Sequence, residues 1–428
     1  MLLNDEENLL LANSTESVDS INKEFYEKFQ YPWPPQSFDC PVDHCFETIM
    51  LNQSMGSWDQ TAVPPEPKIW VAGCGTNQAI FTALRFPRAS ILGTDLSSKS
   101  LETSAQIAKQ LNISNLTLKE ESINNTRYED EYDYIICTGV VHHNSDPKVP
   151  LRRLAVALKP TGVLEIMVYN RYRRILTSAL QKAVRSFSSP NGGLDFASEM
   201  DIVTRLMNGW QSRNGMAEYL DSVRHLPESG LADAVLQPVE HSYTIESFNE
   251  LSANCNLELL GPYISPQDKT RRSCLWNMEF NDPFLQSQYD TLPDLRRWQV
   301  TNLIMLEQSP MIWFYLQRED SPRRRKTEKE LCEEFLELEF VKCETQKIKY
   351  DKTVENRYVL NSRPVPYPSP HTDDLCRKII KLVETRSFKQ MREIFQALGI
   401  KQEFSTVNKL RLALTTTAYP YLMASPQS

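Results

Sequence analysis

No stretch of this sequence approaches the about 18 apolar residues that a bilayer-crossing helix needs. Nor does its start build a secretory leader, because Asn4, Asp5, Glu6, Glu7 and Asn8 interrupt Met1 to Leu11 before an apolar region can form. The expectation is a protein that works in water, in the cytoplasm, without a membrane partner. Positive charge is also in short supply: 47 basic against 55 acidic residues leave a net charge of −8. That disfavours a general affinity for phosphate backbones, so nucleic acid is not an expected partner. A disulfide framework is missing too, since nine cysteines are an odd number scattered through 428 residues. They read as reduced thiols. Internal repeats and extended low-complexity tracts are absent.

What is present is ordinary globular composition, 41% hydrophobic and 24% charged, enough to bury a sizeable core. At about 150 residues per domain the length implies two or three folding units. Residues 15–30 carry Val18, Ile21, Phe25 and Phe29 at helical spacing after a capping-type start. The run Tyr31-Pro32-Trp33-Pro34-Pro35 then forbids helix and presents aromatic rings on a stiff segment. Residues 1–63 are therefore expected to form an N-terminal helix and strap. The prolines at 64, 65 and 67 mark the first boundary.

Past that boundary, strands at 68–73, 90–95, 116–120, 132–139 and 162–170 alternate with helices around 77–86, 97–111 and 147–158. This alternation predicts a parallel βαβ core over 64–170. Residues 171–240 look helical and are expected to form a lid. Residues 241–320 return to the sheet with a helix at 244–254 and strands at 257–264 and 311–318, interrupted by an insertion at 265–300. Beyond Asp320 the composition becomes charge-laced, and 321–428 is expected to be a C-terminal accessory unit. Within it, 363–370 reads as a loop before helices at 372–385 and 387–397.

The chemistry concentrates in Val71-Ala72-Gly73-Cys74-Gly75-Thr76-Asn77, a glycine-rich turn between the first strand and first helix, followed by Asp95 at the end of the second strand. In an open α/β sheet both elements face the crevice beyond the carboxyl ends of the strands. The glycines let backbone approach a ligand closely, and an acid at that place accepts hydrogen bonds from ribose hydroxyls. The same turn could be only a tight connection, but Asp95 twenty residues past Gly75 favours a ribose-containing ligand. A dinucleotide pattern would place a third glycine at 78, where this chain has Gln78. Asn77 and Gln78 suit the zwitterionic methionine end of S-adenosylmethionine better than a pyrophosphate.

With VAGCGTN, GTDLS and YDYIICTGVVHHNSDP in sequence, the chain resembles the class I S-adenosylmethionine-dependent methyltransferases over residues 66–170. The resemblance implies an α/β fold, a Rossmann-like sheet whose last strand, 311–318, runs antiparallel. It implies S-adenosylmethionine as cofactor: Gly73, Cys74, Gly75 and Asn77 would cradle the methionine end, Asp95 the ribose, and Leu96 would lie beside the adenine. The family's next acidic position falls on Ser122, beside Glu121, and Thr138 and Gly139 would run along the cofactor. The FYEKFQYPWPP and LEIMVYNRY segments are similar to methyltransferases of peptide natural-product pathways, including the cyanobactin carboxyl methyltransferases. That closer resemblance implies a carboxylate on a small-molecule or peptide-like acceptor.

His142 and His143, just beyond the fourth strand, are candidates for a general base toward an amine or phenol. They could equally pack to hold the loop, and a carboxylate would need no base. Tyr169 and Arg171, after the fifth strand, could position an acceptor, Arg171 by pairing with a carboxylate. Alternatively Arg171, Arg173 and Arg174 begin a solvated helix. Tyr26, Tyr31 and Trp33 are expected to fold over the pocket. No metal is expected, because the Cys40 to Cys45 cluster has no second ligand pair to complete a tetrahedral site. Asn281-Asp282-Pro283-Phe284 only superficially resembles a base-methylase motif. Other acceptors, such as a protein side chain, and a non-catalytic interaction protein on the same fold remain as alternative functions.

Overall fold

A computed structural model describes residues 15–188, 194–211, 213–265, 269, 275–366, 373–416 and 421–425. The reading of Met1 to Leu11, Cys274 and residues 367–370 of the expected loop lie outside these residues. Twelve strands are described: β1 (Ser37–Pro41), β2 (Lys68–Ala72), β3 (Ser90–Asp95), β4 (Leu116–Glu120), β5 (Tyr132–Thr138), β6 (Leu158–Val168), β7 (Leu257–Pro262), β8 (Ile312–Arg318), β9 (Phe340–Lys342), β10 (Gln346–Lys352), β11 (Tyr358–Pro366) and β12 (Leu422–Ala424).

Seven of them form one sheet in the order β4-β3-β2-β5-β6-β8-β7. Pairs from β4 to β6 are parallel, while β8 runs antiparallel to both β6 and β7. The last strand of the sheet is thus the antiparallel one and lies one place in from the edge. Both faces of the sheet are covered, which is why its strands read as near-continuous apolar runs. Trp70, Ile135, Leu164 and Phe314 pack in the core on one face, and Ile69, Val71, Tyr134 and Ile136 in the core on the other. The chain reverses order at β2, so the loops after β2 and β5 open into one crevice.

The described residues of 171–240 form four helices, Ile175–Ser188, Phe196–Gly209, Gly215–Val223 and Glu228–Val235. Asp195 and Asn214 cap two of them by accepting from backbone N–H groups of the first turn. Their apolar faces enclose Phe25 and Phe29 of the helix Thr15–Lys28, so the N-terminal helix and the lid share one core.

The C-terminal residues divide between two places. Helices Glu328–Glu337, Asp374–Glu384, Met391–Ala397 and Phe404–Thr415 gather around Phe335, Ile379, Phe395 and Leu414, next to the two-stranded β9–β12 ladder. The hairpin β10–β11 instead pairs with β1 from the N-terminal segment. There Phe38 packs on Phe81 and Tyr358, with ring centroids 4.7 and 4.8 Å apart. Residues 363–366, expected as loop, complete β11 because they find a partner in β10. The helix Phe404–Thr415 was not anticipated from the sequence.

Candidate active site

Beyond the carboxyl ends of β2, β3 and β5 lies a cavity of about 720 Å³, walled by the glycine turn, the strap and the lid. Gly73 and Gly75 have φ of +69° and +54°, where a side chain is strained. A Cβ on Gly73 would lie 2.4 Å from Val140 Cγ2, and one on Gly75 would lie 2.7 Å from the Tyr31 carbonyl oxygen. Both positions require glycine for space as well as for conformation. The turn is anchored where Cys74 N donates to the Thr94 carbonyl and Gly75 N donates to Asp95 Oδ2, at 2.9 and 2.8 Å. Asp95 Oδ1 accepts from Ser97 N at 2.9 Å. Burial raises the Asp95 carboxyl above the usual range, opposed by backbone donors of Ser97, Gly75 and Leu96.

Gly73, Cys74, Gly75, Asn77, Asp95, Leu96, Ser122, Thr138 and Gly139 all line this cavity, as do His143 and Tyr169. Asn77 directs its amide to the Trp33 carbonyl at 3.2 Å, and Thr76 Oγ1 donates to the Pro32 carbonyl. The strap is therefore sewn to the glycine turn. Gln78 Nε2 donates to Thr138 Oγ1 at 2.6 Å, joining the turns after β2 and β5. Ser122 Oγ and Asn124 Nδ2 both donate to the carboxylate of Asp19, which the N-terminal helix brings to the cavity wall.

Two site expectations fall elsewhere. Arg171 is absent from the cavity lining; its guanidinium donates to the Ser242 carbonyl at 3.1 Å, because its backbone N–H is bound to the Tyr243 carbonyl and turns the chain outward. Arg173 and Arg174 reach the cavity instead. Arg174 is no solvated helix residue: it clasps Glu240 through Nε, at 2.8 Å, and Nη2, and lies over the Tyr169 ring.

His142 is fully buried outside the lining, its ring tilted against Tyr169 at 3.9 Å between centroids, and neither of its ring nitrogens has a partner among the described residues. Burial holds His142 well below the ordinary imidazole value and His143 down to about 4. His143 Nδ1 bonds the Val239 carbonyl at 2.8 Å, and the His142 carbonyl accepts from His241 N at 2.8 Å, so the pair ties the β5 loop to the end of the lid.

The lid supplies residues the sequence reading passed over. Leu226, Gly230, Asp233 and Ala234 turn toward the cavity, and Tyr219 adds a hydroxyl that accepts from Thr177 Oγ1 at 2.8 Å. Asp233 Oδ1 accepts from Gln237 Nε2 at 2.9 Å, and the same amide donates to Tyr26 OH at 2.8 Å. The signal in the sequence was a single acid within the apolar run Leu231 to Val235. The expected base-methylase decoy resolves as a helix start: Asp282 caps Pro283–Thr291, and Phe284 is exposed.

The Rossmann-like sheet with its last strand antiparallel carries a glycine turn after its first strand and an acid after its second, the layout expected of a class I methyltransferase fold. Residues 70–164 match the family model described as "Methyltransferase domain". The chain is 25% identical over 305 residues to an uncharacterized protein of Synechococcus sp., covering 69% of this chain and 70% of that one. Over 161 residues it is 24% identical to a ubiquinone biosynthesis O-methyltransferase of Rickettsia canadensis, covering 37% of this chain and 66% of that one. Two structures of PKMT2 from Rickettsia typhi, one in complex with AdoHcy, superpose with TM-scores of 0.55. They are 15% and 18% identical, cover 92% of this chain and 76% and 77% of theirs, and so share its fold. The residues present fit S-adenosylmethionine: two side-chain-free positions in the glycine turn for close backbone approach and a backbone-anchored carboxylate facing the same cavity.

Proposed function

We propose that this protein transfers a methyl group from S-adenosylmethionine to an oxygen or nitrogen nucleophile of a small-molecule or peptide-like acceptor held beneath residues 171–240. The observation that carries this reading is a single cavity that runs from the glycine turn and Asp95 to the lid face at Gly230 and Asp233. Gly73, Cys74 and Gly75 would hold the methionine end, Asp95 the ribose, and Leu96 and Ile123 the flanks of the adenine. The bound cofactor supplies an electrophilic methyl on a good leaving group. The chain's own task is then positioning and exclusion of water. Tyr31, Trp33 and Tyr169 line the cavity, and the described residues of 171–240 would cover its acceptor side. The name of the Rickettsia canadensis relative supports a small-molecule acceptor. A carboxylate acceptor, implied by the closer resemblance, is one finer form of this reading; Arg173, and not Arg171, lines the cavity, where its Nη1 also donates to the Ser309 carbonyl at 3.4 Å.

The test is calorimetric titration of the full chain with S-adenosylmethionine, S-adenosylhomocysteine and NAD. Micromolar binding of the first two and none of the third is expected. Asp95→Ala should weaken binding about 100-fold, the worth of two hydrogen bonds to a charged group. Binding of NAD alone, or unchanged affinity in the variant, would overturn the reading.

A further inference from the structure

The acceptor side of the cavity contains one acid that the cofactor site does not use. Asp233 lies on the helix Glu228–Val235, on the face that also turns Gly230 and Ala234 to the cavity, and it is 9% exposed. It makes no ion pair among the described residues. The nearby cation, Arg174, is already clasped by both oxygens of Glu240 and donates to the Ala234 carbonyl. Gln237 fixes Oδ1 of Asp233, and through Tyr26 OH it ties that carboxylate to the N-terminal helix. A buried carboxylate whose only donors are the neutral Gln237 and Tyr26, beside an Arg174 already held by Glu240, is costly unless a ligand provides a further cation. Around it stand the rings of Tyr26, Tyr31 and Trp33, which also line the cavity and attract a cation, while Tyr169 already carries Arg174 over its ring.

We infer that Asp233 receives the acceptor as a protonated amine and takes its proton before methyl transfer, which makes the acceptor an amine rather than a carboxylate. The inference rests on the proposed methyl transfer. The ammonium gives a proton to the Asp233 carboxylate; the freed nitrogen lone pair forms the C–N bond as the C–S bond breaks and its electron pair stays on sulfur. Asp233 then releases its proton to solvent, and the product leaves as the methylated ammonium. Burial raises the Asp233 carboxyl to about 6, closer to the working range of a base than a free aspartate. The groups facing it are Gln237 on the following turn, Tyr26, Tyr31 and Tyr169 from the other walls, and the Arg174–Glu240 pair. The three tyrosines are raised above their usual value by burial, so they do not titrate in this window. A carboxylate acceptor would meet like charge at Asp233.

The experiment uses the full chain saturated with S-adenosylhomocysteine, titrated by NMR with 2-phenylethylamine and with its near-isostere 3-phenylpropionate. The amine should bind at least tenfold tighter than the acid, with a preference that disappears as pH falls through about 6 and in Asp233→Asn. S-adenosylhomocysteine affinity in that variant should stay within twofold of the parent, which separates a lost acceptor site from a lost fold or cofactor site. Equal binding of the two probes, tighter binding of the acid, no binding of either, or a preference that survives in Asp233→Asn overturns the inference. Failure of the protein to bind S-adenosylhomocysteine at all overturns the methyltransferase reading instead.

Discussion

At the scale of single residues, burial decides which titratable groups are available for chemistry. His142 and His143 sit where a general base would be sought, yet both are held neutral by desolvation, and His143 spends Nδ1 on a lid carbonyl. His143→Gln is expected to lower kcat by less than about tenfold, short of the 10²–10⁴ of a lost general base. The histidines act on stability instead. The unfolded chain binds protons on imidazole near 6.5, whereas folded His143 does so only near 4, so stability rises with pH across that window and falls as pH drops through it. Asp233, raised to about 6 by burial, has the opposite sign between its unfolded value and 6. Thermal unfolding of His143→Gln should accordingly lose part of the destabilisation seen in the parent between pH 6.5 and 6, above the range where Asp233 offsets it.

Among elements, the cover of the site is assembled from two distant segments. The strap reaches the glycine turn through Thr76 and Asn77, and Trp33 lies so close to the helix Glu228–Val235 that a Cβ on Gly230 would be 2.7 Å from Trp33 Cζ3. Phe25 and Phe29 fix the preceding helix in the lid core. Gly230→Ala should push the Trp33 ring away from the lid and raise acceptor KM several-fold. Its methyl adds helix propensity worth up to about 1 kcal/mol, so melting temperature should not fall in step. A fall in melting temperature with unchanged KM would count against the strap as part of the acceptor chamber.

Over the whole molecule, the C-terminal residues are bound to the part that carries the seven-stranded sheet by a buried charge cluster. Glu328 accepts from Arg297 Nη2 and, at 3.1 Å, from Trp298 Nε1, while Arg411 stands 3.6 Å from its other oxygen. Asp294 holds Arg297 at 2.9 Å and also accepts from Arg325. Arg297 and Glu328 are almost wholly inaccessible, so removing one partner leaves an uncompensated charge. Glu328→Gln should cost about 3–5 kcal/mol in denaturant unfolding. Loss below about 1 kcal/mol would mean that the cluster behaves as an exposed one. No helix among the described residues is long and apolar enough to cross a membrane.

Local pattern was sufficient for the sheet. Strands such as β3 and β4 follow from short runs bounded by turns, and the meeting of Gly73, Gly75 and Asp95 at one crevice was legible because it depends on strand ends and local backbone. Distant partners were not legible: β11 extends through 363–366 only because β10 offers it a ladder, and Arg171 leaves the cavity because Tyr243 holds its backbone. Asp233 likewise gained its place from lid packing against the N-terminal helix, a contact over 200 residues apart that no periodicity encodes. The sequence by itself thus determined the parallel core and its glycine turn, since these rest on hydrophobic period and local conformational freedom. Only the tertiary structure decided which charges are buried, paired or left facing the acceptor, because desolvation depends on every segment that closes over a group.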